Sequence, residues 1–236
     1  MLRGLRAHTP SPRGITRVRT GRFARRYKNA LDAHELHERM VRRLDRRSVR
    51  ELIEQQALAT ASPGTLFEVL STFDILDQIN HRNWRPVRPF GLIRGHLHFQ
   101  AKRAGDVLDL WYQQTPRDLA RGSRYVDAQQ RHALSATPLR PDVVLRKRSA
   151  ASESWLLVEM KMGDIARASG RDVEGSARAA IRDLLMYRRD FDKVLVSTPE
   201  PYGLGLIWGA ELRVADGEIM LCTPDHLGAA LSGFLS

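Results

Sequence analysis

Residues 139–162, LRPDVVLRKRSAASESWLLVEMKM, set Asp142, Glu159 and Lys161 into or against two runs that are otherwise apolar enough for core strands. Side chains alternate across a strand, so Trp155, Leu157, Glu159 and Lys161 share one face of an extended 155–162, and Leu156, Val158, Met160 and Met162 the other. Both faces read as buried. A carboxylate and an ammonium group in such a strand carry a desolvation cost of several kcal/mol unless they are paired or bind a metal.

A reason for that cost lies upstream. Pro141-Asp142 opens the apolar run 143–145, and the turn-like residues 146–154 let it fold back on 155–162 as a hairpin, bringing Asp142 toward Glu159. Two carboxylates and the backbone carbonyl of Met160 make the oxygen-rich, partly open shell that Mg²⁺ prefers, with Mn²⁺ as a substitute. Lys161 would then orient or deprotonate an attacking water, or stabilise charge on a phosphate. The chemistry is metal-assisted phosphodiester hydrolysis.

Pro141-Asp142 followed by Glu159-x-Lys161 resembles the PD-(D/E)XK nuclease superfamily. The resemblance spans roughly residues 60–200. With the LFEVL run at 66–70, the strand-like 108–113 and a polar insertion before LRPD, it looks like the McrC-like nuclease component of McrBC-type restriction systems. It implies an α/β, restriction-endonuclease-like fold: a mixed central sheet flanked by helices, with the motif on the second and third of four core strands. It implies a Mg²⁺-dependent DNA endonuclease acting in restriction or antiviral defence beside a nucleotide-hydrolysing motor subunit. It also implies that Glu68 joins the metal site as a helix-borne acid. Many relatives carry a glutamine four residues before the tyrosine matching Tyr187; Asp183 stands there instead.

The elements that must hold these groups follow from periodicity. Residues 65–80 read as a helix with its main stripe at Leu66, Val69, Leu70, Phe73 and Leu76, and with Glu68 beside Ile75 and Ile79 on a second apolar side. Such a helix is expected to be sandwiched, with Glu68 partly buried. Residues 172–191 read as a helix with Ala177, Ala180, Ile181, Leu184 and Tyr187 toward the sheet; Arg178 and Arg182, with Tyr187, are candidate nucleic-acid contacts. Residues 89–113 read as strands with a hairpin through 102–106. Residues 115–138 show no period and read as a polar insertion carrying Arg117, Arg121, Arg124 and Arg131. Strands are expected at 193–197, 205–212 and 218–222, and a closing helix at 225–235.

The chain has 236 residues, 42% of them apolar, and a net charge of +11. That favours a globular protein with a polyanionic partner, DNA above all. Nine basic side chains precede Asp32, the first acid, among them Arg22, Arg25 and Arg26, and make residues 1–30 a basic arm broken by Pro10, Pro12 and Gly14. A helix at 31–60 leads into a nuclease-like domain over 31–236, with its motif-bearing core at 61–200 and further strands and a helix at 201–236. The single cysteine, Cys222, excludes a disulfide framework and points to a reducing, cytoplasmic setting. His96 and His98, and His34 and His37, lack a third ligand at zinc spacing. No phosphate-cradling loop and no membrane-spanning run is present. Cutting both strands of a duplex takes two active sites, for which a homodimer is one arrangement. Two other readings stand beside the endonuclease: a non-cleaving nucleic-acid adaptor in which Glu159 and Lys161 form a structural ion pair, and a repair or RNA nuclease of the same fold.

Overall fold

The computed structural model describes residues 11–21, 62–88, 98–162, 170–208 and 217–236, with Ala24, Arg25, Tyr27, Lys28 and Leu31. The chain divides into two compact units, Met1–Ser48 and Val49–Ser236. In the first, α1 (Pro12–Thr20) begins where the arm was expected to be broken. Ser11 Oγ accepts the Gly14 N–H at 3.1 Å, and Pro12 lies in the first turn, where its missing N–H leaves no gap. Arg25 lies in a turn, whereas Arg22, Arg26 and nearly all of the helix expected over 31–60 fall outside the described residues.

The second unit is a seven-stranded mixed sheet in sequential order with helices against it. Helix α2 (Pro63–His81) starts on Ser62, whose Oγ accepts the Thr65 N–H at 3.2 Å. Phe67, Val69, Phe73, Ile75, Leu76 and Ile79 are buried around the helix, as a sandwiched element requires; Leu66 and Leu70 are half-buried and Phe67 does the packing expected of them.

Strand β1 (Arg85–Arg88) is exposed throughout and forms the edge, where Pro86 is tolerated. β2 (His98–Arg103) and β3 (Asp106–Tyr112) form the expected hairpin through Ala104 and Gly105, both with positive φ (49° and 95°), the twist a two-residue turn needs. β4 (Val143–Arg148) pairs antiparallel with β3 and with β5 (Glu153–Met162), in the register Val143↔Val158 and Arg146↔Trp155. The turn between them is shorter than the expected 146–154, because Arg146 continues the strand.

The polar insertion contains two helices, α3 (Arg117–Ala120) and α4 (Arg124–Arg131). Its order comes from a tertiary anchor that periodicity does not reveal: Asp190 accepts the Ser123 hydroxyl at 2.9 Å and the Tyr125 N–H at 2.6 Å. Helix α5 (Gly170–Asp190) carries the chain from β5 to β6 (Gly203–Trp208), which runs parallel to β5; β7 (Ile219–Cys222) adds parallel to β6. Gly205 permits the close approach of α5, since a Cβ there would lie 3.1 Å from the Ala180 Cβ and 2.5 Å from Leu221 Cδ2. The strand expected at 193–197 is instead α6 (Asp192–Leu195): Phe191 and Leu195, one helical turn apart, bury together while Val196 is 72% exposed. The C-terminus is a 3₁₀ turn (Pro224–His226) followed by α7 (Leu227–Ala230) and α8 (Ser232–Leu235), fastened by the Trp84 indole donating to the Leu235 carbonyl.

The α5 face of the sheet is cored by Val144, Trp155, Leu157, Leu184, Tyr187 and Phe191. Phe99, Leu108, Leu110, Val143, Leu145, Leu156 and Val158 are buried on the other face, the side of α2.

Candidate active site at one end of the sheet

Four elements meet where β3 ends and β4 begins. Asp142 stands just before β4, Glu159 and Lys161 point from β5 toward α5 as alternation predicts, and Glu68 comes from the second turn of α2. The hairpin was expected to bring Asp142 toward Glu159; the bond formed is from the next residue, the Met160 N–H donating to Asp142 Oδ2 at 2.8 Å. Met160 thus enters the site through its amide as an anchor for Asp142, in addition to any use of its carbonyl.

Gln113, which follows β3, was not foreseen. Its Nε2 donates to Asp142 Oδ1 at 2.8 Å and to Glu68 Oε2 at 3.0 Å, so one amide holds both carboxylates within about 6 Å of each other. Its own N–H donates to the Asp142 carbonyl at 2.8 Å. Gln113 adopts φ 50°, a left-handed conformation that costs a non-glycine residue about 1 kcal/mol or more and persists where surrounding bonds fix it. No spacing in the sequence marks it, because its role depends on a strand end lying beside Asp142.

Glu159 is 2% exposed. Its Oε1 accepts the Tyr187 hydroxyl at 2.6 Å and its Oε2 accepts Lys161 Nζ at 2.7 Å; Lys161 Nζ also reaches Asp183 Oδ2 at 2.9 Å. Asp183 and Tyr187, one turn apart on α5, therefore brace the Glu159–Lys161 pair from above. Tyr187 is 7% exposed, so it acts inside the site and is not the nucleic-acid contact expected of it. Arg178 and Arg182 do lie on the exposed side of α5, but each already has a partner: Arg178 pairs with Glu174 and Arg182 with Asp183.

The electrostatics are those of crowded acids. Burial, then the charge of Asp142, pushes Glu159 up to about 7. Burial likewise raises Asp142, with the charge of Glu68 adding, and raises Glu68 against the opposing hydrogen bond from Gln113. Burial works to lower the Lys161 ammonium, but the hydrogen bonds to Glu159 and Asp183 outweigh it and hold the group above the usual lysine range. Lys161 is thus a fixed cation, suited to stabilising charge and unsuited to taking a proton at neutral pH.

Among the described residues no group of three or more His, Cys, Asp or Glu is arranged to hold a metal ion, so the expected set of Asp142, Glu159 and Glu68 is not preformed as a three-acid cage. The donor chemistry of Asp142 and Glu159 is of the kind Mg²⁺ takes, an ion that binds through one or two carboxylates and keeps several waters. The charge of half-buried Asp142 repels that of buried Glu159, and each oxygen that accepts a hydrogen bond retains a second lone pair. His98 is no zinc ligand here, since its ring bonds Asp109 and Arg88. Cys222 is buried in β7, its thiol pushed up to about 12 by burial, consistent with a core residue. No helix among the described residues is long and apolar enough to cross a membrane. Compared with known proteins, the chain matches no family model, no curated protein and no solved structure.

Proposed function

We propose that the protein is a Mg²⁺-dependent nuclease that hydrolyses phosphodiester bonds in DNA, with Asp142 and Glu159 holding the ion and Lys161 stabilising charge on the scissile phosphate. The observation that carries this reading is the convergence of the buried Glu159, the half-buried Asp142, whose charges repel, and a fixed lysine at one end of the sheet. The strand arrangement agrees with it: β3, β4 and β5 are antiparallel, β6 is parallel to β5, and Asp142 immediately precedes the second of these four while Glu159 lies in the third.

The ion, when bound, supplies Lewis-acid activation of water and phosphate. The chain's own groups do the rest. Gln113 and the Met160 amide hold Asp142, Tyr187 and Lys161 hold Glu159, and Asp183 keeps the Lys161 ammonium in position. Glu68, tied through Gln113, adds negative charge beside Asp142 and serves as the accessory acid.

Incubation of the purified protein with duplex and single-stranded DNA in Mg²⁺ or Mn²⁺, and again in EDTA, tests this directly. Cleavage is expected with metal and lost in EDTA, in Asp142→Ala and in Lys161→Ala; cleavage that survives either substitution refutes the assignment. One observation favours the adaptor reading: Glu159 and Lys161 already form a closed ion pair at 2.7 Å. An adaptor leaves DNA intact and binds it with the same salt dependence with or without divalent metal. Running RNA and branched DNA in the same assay tests the repair and RNA alternatives. The defence role and the motor partner rest on the family resemblance alone.

A further inference from the structure

The sheet has a second concentration of charge, away from the carboxylates. Its cross-strand registers place Arg85, Lys102, Val107 and Arg148 in one row and Arg88, Gln100, Asp109 and Arg146 in the next, on the face opposite buried Phe99, Ala101, Leu108 and Leu110. Arg85, Arg88 and Lys102 are exposed, and the Arg148 side chain is 41% exposed.

A fully buried acid organises this face. Asp109 accepts from His98 at 3.0 Å, Gln100 at 2.7 Å, Arg146 at 3.0 Å and Arg148 at 3.0 Å. Burial works to raise its carboxyl, but these hydrogen bonds outweigh it and keep Asp109 ionised far below the usual carboxylate range. Arg146 is spent inside: it also bonds Asp118 at 2.8 Å and lies 5.0 Å and 5.1 Å over the Trp111 and Trp155 rings. Arg88 donates to His98 Nδ1 at 2.9 Å. An arginine can only donate, so that nitrogen accepts, and Nε2 is left to donate to Asp109. Arg88 therefore keeps its whole charge while being held in place. Arg148 buries its Nε and bonds Asp109 through Nη2, leaving its partly exposed outer edge toward solvent, and Arg85 and Lys102 make no ion pair among the described residues. The exposed acid across from Arg148, Glu153, accepts the Trp155 indole N–H at 2.9 Å.

We propose that this basic face is a second nucleic-acid contact, gripping backbone phosphates through Arg85, Arg88, Lys102 and Arg148. Cations fixed on a rigid sheet suit a regular polyanion, and phosphate contacts of this kind position a strand without reading its sequence. Beside them, a cleft of about 770 Å³ lined by Asn80, Asn83, Arg85, Lys102 and Arg103 offers amide donors as well as charge. The face does not depend on the cleavage reading. The Val107 row lies six residues along β3 from Gln113, about 20 Å at strand rise, or about six base pairs of duplex.

The test is binding of a labelled duplex oligonucleotide, followed by fluorescence anisotropy in EDTA over a series of KCl concentrations, so that loss of cleavage has no bearing on the result. The full chain carrying Arg85→Gln and Lys102→Gln, both exposed substitutions outside the Asp109 network, is expected to bind more weakly. The slope of log affinity against log salt should shrink by about 0.9 for each phosphate that is no longer neutralised. The charge-preserving pair Arg85→Lys and Lys102→Arg should keep the wild-type slope. A neutralised variant with wild-type affinity and slope overturns the proposal. So does one that keeps DNA binding but loses binding to phosphatidylserine vesicles, which would assign the face to a lipid surface.

Discussion

Replacing Glu159 with glutamine keeps the side chain's shape and removes its charge, and the structure gives this change an unusual sign. A buried carboxyl raised from 4.5 to about 7 binds its proton more tightly in the folded chain than in the unfolded one. Its stabilisation is complete below the unfolded value and is lost as pH rises through the folded value. Between pH 4.5 and pH 8 without divalent metal, wild-type stability should therefore fall by about 3 kcal/mol from this group. Asp142 and Glu68, both raised, push in the same direction. Asp109 is lowered, so its contribution is lost only at much more acid pH and does not enter this window. Glu159→Gln should flatten the fall, leaving the variant about 3 kcal/mol more stable than wild type at pH 8, or about 6 to 12 °C in Tm for a chain of this size. Mg²⁺ should raise the wild-type Tm at pH 8 but not that of the variant, which should also be inactive. Urea or thermal melts across pH in EDTA read all of this. A wild-type protein that becomes more stable from pH 5 to pH 8, or a variant with the wild-type pH profile, refutes the account of a charge-crowded site.

Other outcomes follow from the same geometry. Gln113→Ala releases Asp142 and Glu68 from their shared amide, and should raise the Mg²⁺ concentration needed for half-maximal cleavage about 10- to 100-fold while DNA binding in EDTA is unchanged. Tyr187→Phe deletes a donor to the Glu159 carboxylate, so the acid limb of the cleavage pH profile should move to higher pH by about one to two units, since a charge-assisted bond is worth about 1.5–3 kcal/mol. Asp109→Asn leaves Arg146 without its buried counter-charge and should cost about 3–5 kcal/mol in urea unfolding. Gly205→Ala sets a methyl against Ala180 and Leu221 and should cost about 1–3 kcal/mol by the same measurement.

Much of the site was legible because strand alternation is a strict rule. It placed Glu159 and Lys161 on one face, and the apolar runs around them fixed the hairpin that delivers Asp142. The two-sided apolar pattern of 65–80 likewise gave a sandwiched helix. What escaped depends on contacts between distant residues. Gln113 matters through what its strand end lies beside, and α3 and α4 are ordered by Asp190, more than sixty residues downstream. The misread 193–197 is a short apolar stretch with too few residues to separate period two from period 3.6, and burial of Phe191 with Leu195 decided it. The helix pattern turned Tyr187 toward the sheet but could not reveal its partner, because Glu159 lies on another element 28 residues away.

The bonds that build the carboxylate site join residues 45, 29 and 28 positions apart, from Glu68 at one extreme to Tyr187 at the other. Beside these long-range bonds only the Glu159–Lys161 pair is local, so the contact order of this centre is high. A chain cut before α5 is complete keeps Lys161 beside Glu159 but lacks the Tyr187 hydroxyl on Glu159 and the Asp183 carboxylate on Lys161. On the proposed reading, the centre is complete only once α5 has packed against β5.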